Sequence, residues 1–292
     1  HTRLRTVTGV QTCALPIYCQ GNGVAVDSSG NVIVTGSIYG TANFGGGAIT
    51  NTNSVTSFSG NATVFVAKYD GNGALQWARK GGTNGMGFGQ NVAADSSGNI
   101  FATSYRRSYG GGVMLTKYDG GGSVIWVRTN YVGCCTDNFI SVAGISLDGV
   151  GNPLLAGGGS ASTTLEGLTL SGQGFIVKYR SSDGAPYWIL KSGNIGNAVA
   201  LDSDGNAYVA GSFYNTALFG TSSNLTSSGG NDAPSGWIGA AAAFAVGVRT
   251  VERRWRRGAA LPQHGRAGRA VPIRVRMLAG PRANDRILSR RS

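Results

Sequence analysis

Four times in 292 residues the chain repeats one phrase, and that recurrence constrains its fold more than any other feature. The copies are Val24-Ala25-Val26-Asp27-Ser28-Ser29-Gly30-Asn31, Val92-Ala93-Ala94-Asp95-Ser96-Ser97-Gly98-Asn99, Gly144-Ile145-Ser146-Leu147-Asp148-Gly149-Val150-Gly151-Asn152 and Val199-Ala200-Leu201-Asp202-Ser203-Asp204-Gly205-Asn206. Their aspartates lie 68, 53 and 54 residues apart. A second phrase falls between them: Phe65-Val66-Ala67-Lys68-Tyr69-Asp70, Met114-Leu115-Thr116-Lys117-Tyr118-Asp119 and Phe175-Ile176-Val177-Lys178-Tyr179-Arg180. Trp77, Trp126 and Trp188 follow these tyrosines by eight, eight and nine residues. A period of this length marks tandem structural units, each too small to bury its own apolar faces.

Each unit reads as four strands. A short apolar strand runs into Asp-x-x-Gly-Asn, where the Asp side chain accepts backbone N–H groups and Gly supplies a positive φ. Strand two follows, as in Val32-Ile33-Val34-Thr35 or Ala207-Tyr208-Val209-Ala210. A variable Gly/Ser/Thr/Asn-rich connection leads to strand three, Phe-Val-Ala-Lys-Tyr. A Gly-x-Gly turn then leads to strand four, which holds the tryptophan. β-branched and aromatic residues fill these strands, as half-buried pleated surfaces favour. The 49 glycines and the low charged content, 13 %, agree with a turn-rich β protein. Four-stranded sheets of this size cover one another by stacking around an axis, which is the β-propeller arrangement. The expected fold is therefore all-β: a propeller of four-stranded antiparallel blades, with three full blades and half of a fourth, open or poorly closed. Turn formation is the expected role of Asp27, Asp95, Asp148 and Asp202. Trp77, Trp126 and Trp188 are expected to pack between blades.

Together with Thr35-Gly36-Ser37-Ile38-Tyr39-Gly40-Thr41-Ala42-Asn43-Phe44-Gly45-Gly46, these phrases resemble the SBBP-type β-propeller repeat, a family similar in layout to the NHL repeat propellers. The resemblance covers about residues 20–233. It implies a modular bacterial propeller that is exported or displayed at the cell surface, and it implies no shared catalytic residue. The chain departs from the pattern at Gly149-Val150-Gly151, at Arg180 in place of Asp, and at the short connection holding Arg106-Arg107.

Charge divides the chain into three parts. The formal net charge is +12, yet residues 19–235 carry 10 Lys/Arg against 11 Asp/Glu. The excess sits in the last 57 residues, which hold 13 Arg and no Lys. At the other end, the run Val7-Thr8-Gly9-Val10-Gln11-Thr12-Cys13-Ala14-Leu15-Pro16-Ile17 resembles a translated sequencing-library adapter. The expected organisation is a non-native head at 1–18, propeller repeats at 19–233, and an Arg-rich tail at 234–292 that resembles out-of-frame translation and is expected to be disordered. That tail is expected to offer no strand for the missing half-blade. Read literally, its run Arg253-Arg254-Trp255-Arg256-Arg257 would suit phosphate contacts on a nucleic acid. No apolar run reaches the roughly 18 residues of a membrane span.

The chemistry-bearing residues are few. Both histidines, His1 and His264, lie in the end segments, so the repeats hold no imidazole for a nucleophile–base pair or a His-ligated zinc. The repeated aspartates should sit a blade apart rather than in the close pair a glycosidase needs. Asp202-Ser203-Asp204-Gly205-Asn206 echoes the start of a calcium loop but lacks the closing Glu. Cys134-Cys135 is read as an inert loop pair. Tyr105, Arg106, Arg107 and Tyr109 form the one polar-aromatic cluster of the repeats and are the candidate ligand contacts. The expectation is a non-catalytic propeller scaffold or binding module, without cofactor, for protein or glycan partners. A carboxylate-based carbohydrate-active enzyme at the propeller mouth, or nucleic-acid binding through the tail, are the alternatives.

Overall fold

The computed structural model describes residues 19–46, 48–51, 62–81, 87–106, 112–131, 140–160, 163–170, 174–192, 195–202, 205–212, 216–219, 223–226, 244–250 and 273–278. Every regular element among them is a β-strand.

The first unit holds β1 (Cys19–Val26), β2 (Val32–Ile38), a small hairpin of β3 (Thr41–Asn43) and β4 (Ala48–Thr50), then β5 (Thr63–Tyr69) and β6 (Leu75–Lys80). The second holds β7 (Phe88–Ala94), β8 (Ile100–Arg106), β9 (Gly112–Tyr118) and β10 (Val124–Tyr131). The third holds β11 (Ile140–Leu147), β12 (Pro153–Gly159), the hairpin β13 (Thr164–Leu165) and β14 (Leu168–Thr169), then β15 (Gly174–Tyr179) and β16 (Pro186–Ser192). The fourth holds β17 (Ile195–Leu201), β18 (Ala207–Ser212), the hairpin β19 (Thr216–Phe219) and β20 (Ser223–Thr226), then β21 (Phe244–Thr250) and β22 (Ile273–Leu278). Setting the hairpins aside, each unit is one antiparallel sheet in chain order: β1-β2-β5-β6, β7-β8-β9-β10, β11-β12-β15-β16 and β17-β18-β21-β22.

Local chemistry sets the turns. Asp27 Oδ1 accepts the backbone N–H groups of Ser29 and Asn31, both at 2.9 Å, and Gly30 takes φ 78°. Asp95 and Asp148 build the same turn around Gly98 and Gly151. Asp202 closes its own onto the Asn206 N–H, with Gly205 at φ 79°. Between strands three and four, Asp70 and Asp119 repeat the device around Gly73 and Gly122. Arg180 replaces Asp in the third unit, and there the turn is one residue longer. Arg180 pairs with Asp183 at 2.9 Å, and Asp183 accepts the Ala185 N–H instead. The extra residue explains why Trp188 trails its tyrosine by nine positions.

The sheets fan out from their first strands, with β1 packed on β7, β7 on β11 and β11 on β17. Each first strand carries a bulge at the equivalent place, between Gly21 and Gly23, Gly89 and Asn91, Val142 and Gly144, and Gly196 and Ala198. Backbones come close there: a Cβ on Gly23 would lie 2.9 Å from the Gln90 carbonyl oxygen, so only glycine fits. Asn22 and Asn91 donate across to the Gly89 and Val142 carbonyls at 2.7 and 2.9 Å. Apolar side chains of facing sheets fill the gaps between them. One cluster joins Ile33, Val66 and Trp77 to Val92, Ile100 and Tyr118. The next joins Phe101, Val113 and Leu115 to Val142, Leu155 and Phe175.

The fold is a β-propeller arc of four-stranded antiparallel blades, and it is open. Val24 and Val26 on β1 and Tyr208 on β18 face outward at its two ends, 68, 62 and 38 % exposed. Repeat sequence stops after the second strand of sheet four, so the arc holds three complete repeats and half of a fourth. One expectation is corrected here. The tail does offer strands: β21 pairs with β18, and β22 pairs with β21. Both segments are rich in apolar residues, and the free edge of β18 presents unpaired backbone groups that such a segment can satisfy. The rest of the tail, like residues 1–18, lies outside the described residues.

Candidate binding surfaces

Antiparallel pairing places the repeated Asp turns at one end of the sheets. The starts of the first strands and the ends of the second lie at the other end. Three rings gather at that second end. Phe88, which begins β7, sits directly opposite Tyr105 near the end of β8. Their rings stack, 5.0 Å between centroids and 21° between planes. Tyr39, which follows β2 in the preceding sheet, meets Phe88 edge-on at 6.4 Å. All three rings and the adjoining Arg106 are half-buried. Gly87 holds the row in place. Its φ is 131°, and a Cβ there would lie 2.5 Å from the Tyr105 carbonyl oxygen. Two of the four candidate contact residues, Tyr105 and Arg106, thus belong to a row that spans two blades. Arg107 and Tyr109 lie outside the described residues. Phe88 and Tyr39 were not singled out from the sequence, because their partners are 17 and 49 residues away.

The repeated carboxylates are engaged within their own blades. Asp27 is buried, and its Oδ2 lies 2.9 Å from the equally buried Lys68 ammonium of β5. Burial alone would raise the Asp27 pKa. Hydrogen bonds from the Asn31 side chain, Lys68, and the Asn31 and Ser29 amides outweigh it and bring the value from 3.8 down to about 2. Asp148 pairs with Lys178 at 2.9 Å in the same way. Burial works against its ionisation, but Lys178 and Asn152 hold its pKa below the ordinary value. In sheet four the register position of this lysine is held by Gly247, and the Tyr208 hydroxyl donates to Asp202 Oδ2 at 3.0 Å. Ser203 and Asp204 lie outside the described residues, as do Cys134 and Cys135. Among the described residues no three His, Cys, Asp or Glu side chains gather as a metal site.

Two of the repeated tryptophans act across the blade seams. Trp77 Nε1 donates to the Gly120 carbonyl in the next sheet at 3.0 Å, and Trp126 Nε1 donates to the Ser181 carbonyl at 3.0 Å. Each indole lies over a glycine of that same turn. A Cβ on Gly122 would meet the Trp77 ring at 2.7 Å, and one on Gly184 would meet the Trp126 ring at 2.9 Å. Lys117 reinforces the second seam by donating to Ser181 O at 2.9 Å. Trp188 pairs in register with Lys178 and is half-buried.

A further polar group was not anticipated. Glu166 turns the hairpin β13–β14 with φ 47°, followed by Gly167 at φ 80°. Both signs match a type I′ turn. The Glu166 carboxylate accepts from Arg128 Nε and Nη2 at 3.1 and 2.8 Å, from Asn130 Nδ2 at 3.0 Å and from the Tyr179 hydroxyl at 3.2 Å. Burial pushes the Glu166 pKa up, but the Arg128 and Asn130 contacts prevail and lower it. Burial, then the neighbouring Glu166 charge, hold the Tyr179 phenol well above its usual range. Arg128 and Asn130 lie on β10, the fourth strand of the preceding sheet, so this group latches one blade to the next. The only local signal for it was Glu166-Gly167 between two Thr/Leu pairs.

No known family profile matches the chain, and no curated protein matches it. Among solved structures it is similar to the β-propeller domain of Cps50 (Swd1) from Myceliophteria thermophila. That likeness has 8 % identity and a TM-score of 0.36, over 66 % of this chain and 51 % of that one. It is also similar to the WD40 propeller domain of Doa1, with 16 % identity and a TM-score of 0.34, over 64 % of this chain and 58 % of that one. A third is XC5397 from Xanthomonas campestris, described as a gluconolactonase, with 12 % identity and a TM-score of 0.33, over 68 % of this chain and 72 % of that one. The chain spans only a little over half the length of the first two. These likenesses are distant.

Proposed function

We propose that this chain is a propeller binding module without catalytic activity, and that it holds an extended polypeptide segment along the row Tyr39, Phe88 and Tyr105. The observation that carries the reading is that row. Three rings from two blades, one pair stacked and the third edge-on, lie together half-exposed with Arg106 beside them. Preassembled rings offer large contact area at small entropic cost, and Tyr with Arg is the composition that protein contacts favour. The engagement of Asp27 and Asp148 by buried lysines supports a structural role for those acids rather than general acid–base work. A location outside the cell follows from the repeat resemblance alone. The test probes a peptide array and a glycan array with the purified chain and with Tyr105→Ala. Peptides retained by the native chain and released at least about tenfold by the variant (roughly 1.4 kcal/mol of contact energy) are the expected outcome. Retention on glycans instead, or peptide retention indifferent to the substitution, would overturn it.

A further inference from the structure

The two faces of each sheet are chemically different, and the difference repeats. The face turned to the next sheet presents an apolar residue on strand two (Ile33 or Phe101), a lysine on strand three (Lys68 or Lys117) and a tryptophan on strand four (Trp77 or Trp126). The face turned to the preceding sheet is the receiver. It presents two apolar side chains on strand one, Val92 and Ala94 in sheet two and Ile145 and Leu147 in sheet three, packed against the sheet before. It also presents the turn between strands three and four. There a carbonyl accepts the indole N–H, Gly120 in sheet two and Ser181 in sheet three. A glycine lies beneath each ring, and both Gly122 and Gly184 are buried.

Sheet one carries the same receiving face with no other sheet described upon it; only its own hairpin β3–β4 covers part of that face, with Ala42, Phe44 and Ile49 packed near Val34 and Phe65. Val24 and Val26 stand where Val92 and Ala94 stand, yet they are 68 and 62 % exposed, against 7 % for Val92. Gly71 occupies the place of Gly120. Gly73, at φ 87°, matches Gly122 at φ 84° but is exposed. The hairpin gives a second, independent sign. In sheet three the hairpin reaches back to strand four of the preceding sheet through Glu166, and in sheet four Phe219 of the hairpin pairs with Ser192 of β16. In sheet one the hairpin β3–β4 overhangs a cleft of about 80 Å³ lined by Gln20, Val34, Ile38, Ala42, Phe44 and Phe65. Sheet four does not offer the complementary face, because Gly247 and Arg276 hold the register positions of the lysine and the tryptophan.

We propose that the receiving face of sheet one is a docking site for one further sheet of this repeat, presenting a lysine on its third strand and a tryptophan on its fourth. The occupant is defined by the molecule itself, which shows such a sheet seated on the equivalent face twice. The site is separate from the ring row at Tyr105, so either reading can fail without the other.

The test supplies the partner sheet at high local concentration. A second copy of residues 19–87 is joined ahead of Cys19 of the full chain through a flexible linker, and hydrogen exchange is followed in both copies. The expected result is that β1 amides of the original copy exchange at least tenfold more slowly and that the added sheet is protected too. Lys68→Ala with Trp77→Ala in the added copy, or Val24→Asp in the original, should remove that protection, while Tyr105→Ala should not. An added sheet that folds without slowing β1 exchange overturns the proposal. So does an added sheet that stays unprotected, since docking should order it, and so does protection that survives all three substitutions.

Discussion

At the scale of single residues, the seams between blades depend on what is missing from glycine. Gly98 and Gly122 have nearly the same backbone, φ 81° and 84°, and both close a tight turn. A Cβ on Gly98 would meet nothing within 4 Å, whereas one on Gly122 would enter the Trp77 ring at 2.7 Å. The two positions therefore separate backbone strain from a steric clash. Gly98→Ala is expected to cost about 1 kcal/mol, the ordinary penalty of a left-handed residue. Gly122→Ala should cost at least about 1 kcal/mol more, because Trp77 must leave both the turn and the Gly120 carbonyl. Urea unfolding of the two variants measures the difference, and equal midpoints would show that the indole does not rest on that turn.

At the scale of elements, the chain's own chemistry shows where prediction from sequence works. The turns at Asp27, Asp95 and Asp148 were legible because donor, acceptor and glycine lie within five consecutive residues. The strands were legible because apolar and β-branched residues recur at equivalent places in each unit. The small hairpins were not. Their strands are two to four residues long and were read only as a variable connection, and in the third and fourth units the partners that hold them lie in another blade. Glu166 illustrates this: its partners Arg128 and Asn130 are 38 and 36 residues away, and no local pattern announces them. The row at Tyr105 was half-legible for the same reason, since Tyr105-Arg106 is a local cluster but Tyr39 and Phe88 join it only through pairing and stacking of sheets. A left-handed non-glycine residue costs about 1–2 kcal/mol, and the Glu166 latch must offset that cost. A double-mutant cycle of Glu166→Ala and Arg128→Ala is thus expected to show a coupling of about 1 kcal/mol, modest because the guanidinium is partly exposed. Additive losses in thermal unfolding would mean that the hairpin holds its place without the ion pair.

At the scale of the whole molecule, the same acids that close the turns make the arc sensitive to acid. Asp27 titrates at about 2 in the folded chain against an ordinary value of 3.8, and Asp148 and Glu166 are lowered as well. A carboxylate whose folded pKa is depressed adds stability that is fully present above its unfolded pKa. That stability is lost as pH falls toward the folded value. The window for Asp27 therefore lies between about pH 4 and pH 2, and the other two begin to lose their share once pH drops below the usual carboxylate range. Charge balance deepens the effect, because residues 19–235 carry 10 Lys and Arg against 11 Asp and Glu, and protonation turns that near-neutral body into a net cation. The three acids also sit at different joints: Asp27 and Asp148 tie first turns to third strands, and Glu166 ties sheet three to sheet two. An open arc has no ring closure to keep neighbouring blades in place once these joints loosen, so loss should spread along the chain rather than stay local. The melting temperature is expected to be flat from pH 7 to pH 5 and to fall by at least about 5 °C by pH 3. Added salt should recover part of that fall by screening the uncompensated cations. Lys68→Met should blunt the pH dependence, because without its ammonium the Asp27 carboxylate gains less from ionising. Thermal unfolding monitored at several pH values decides the matter, and a melting temperature indifferent to pH down to 3 would show that these carboxylates do not hold the blades.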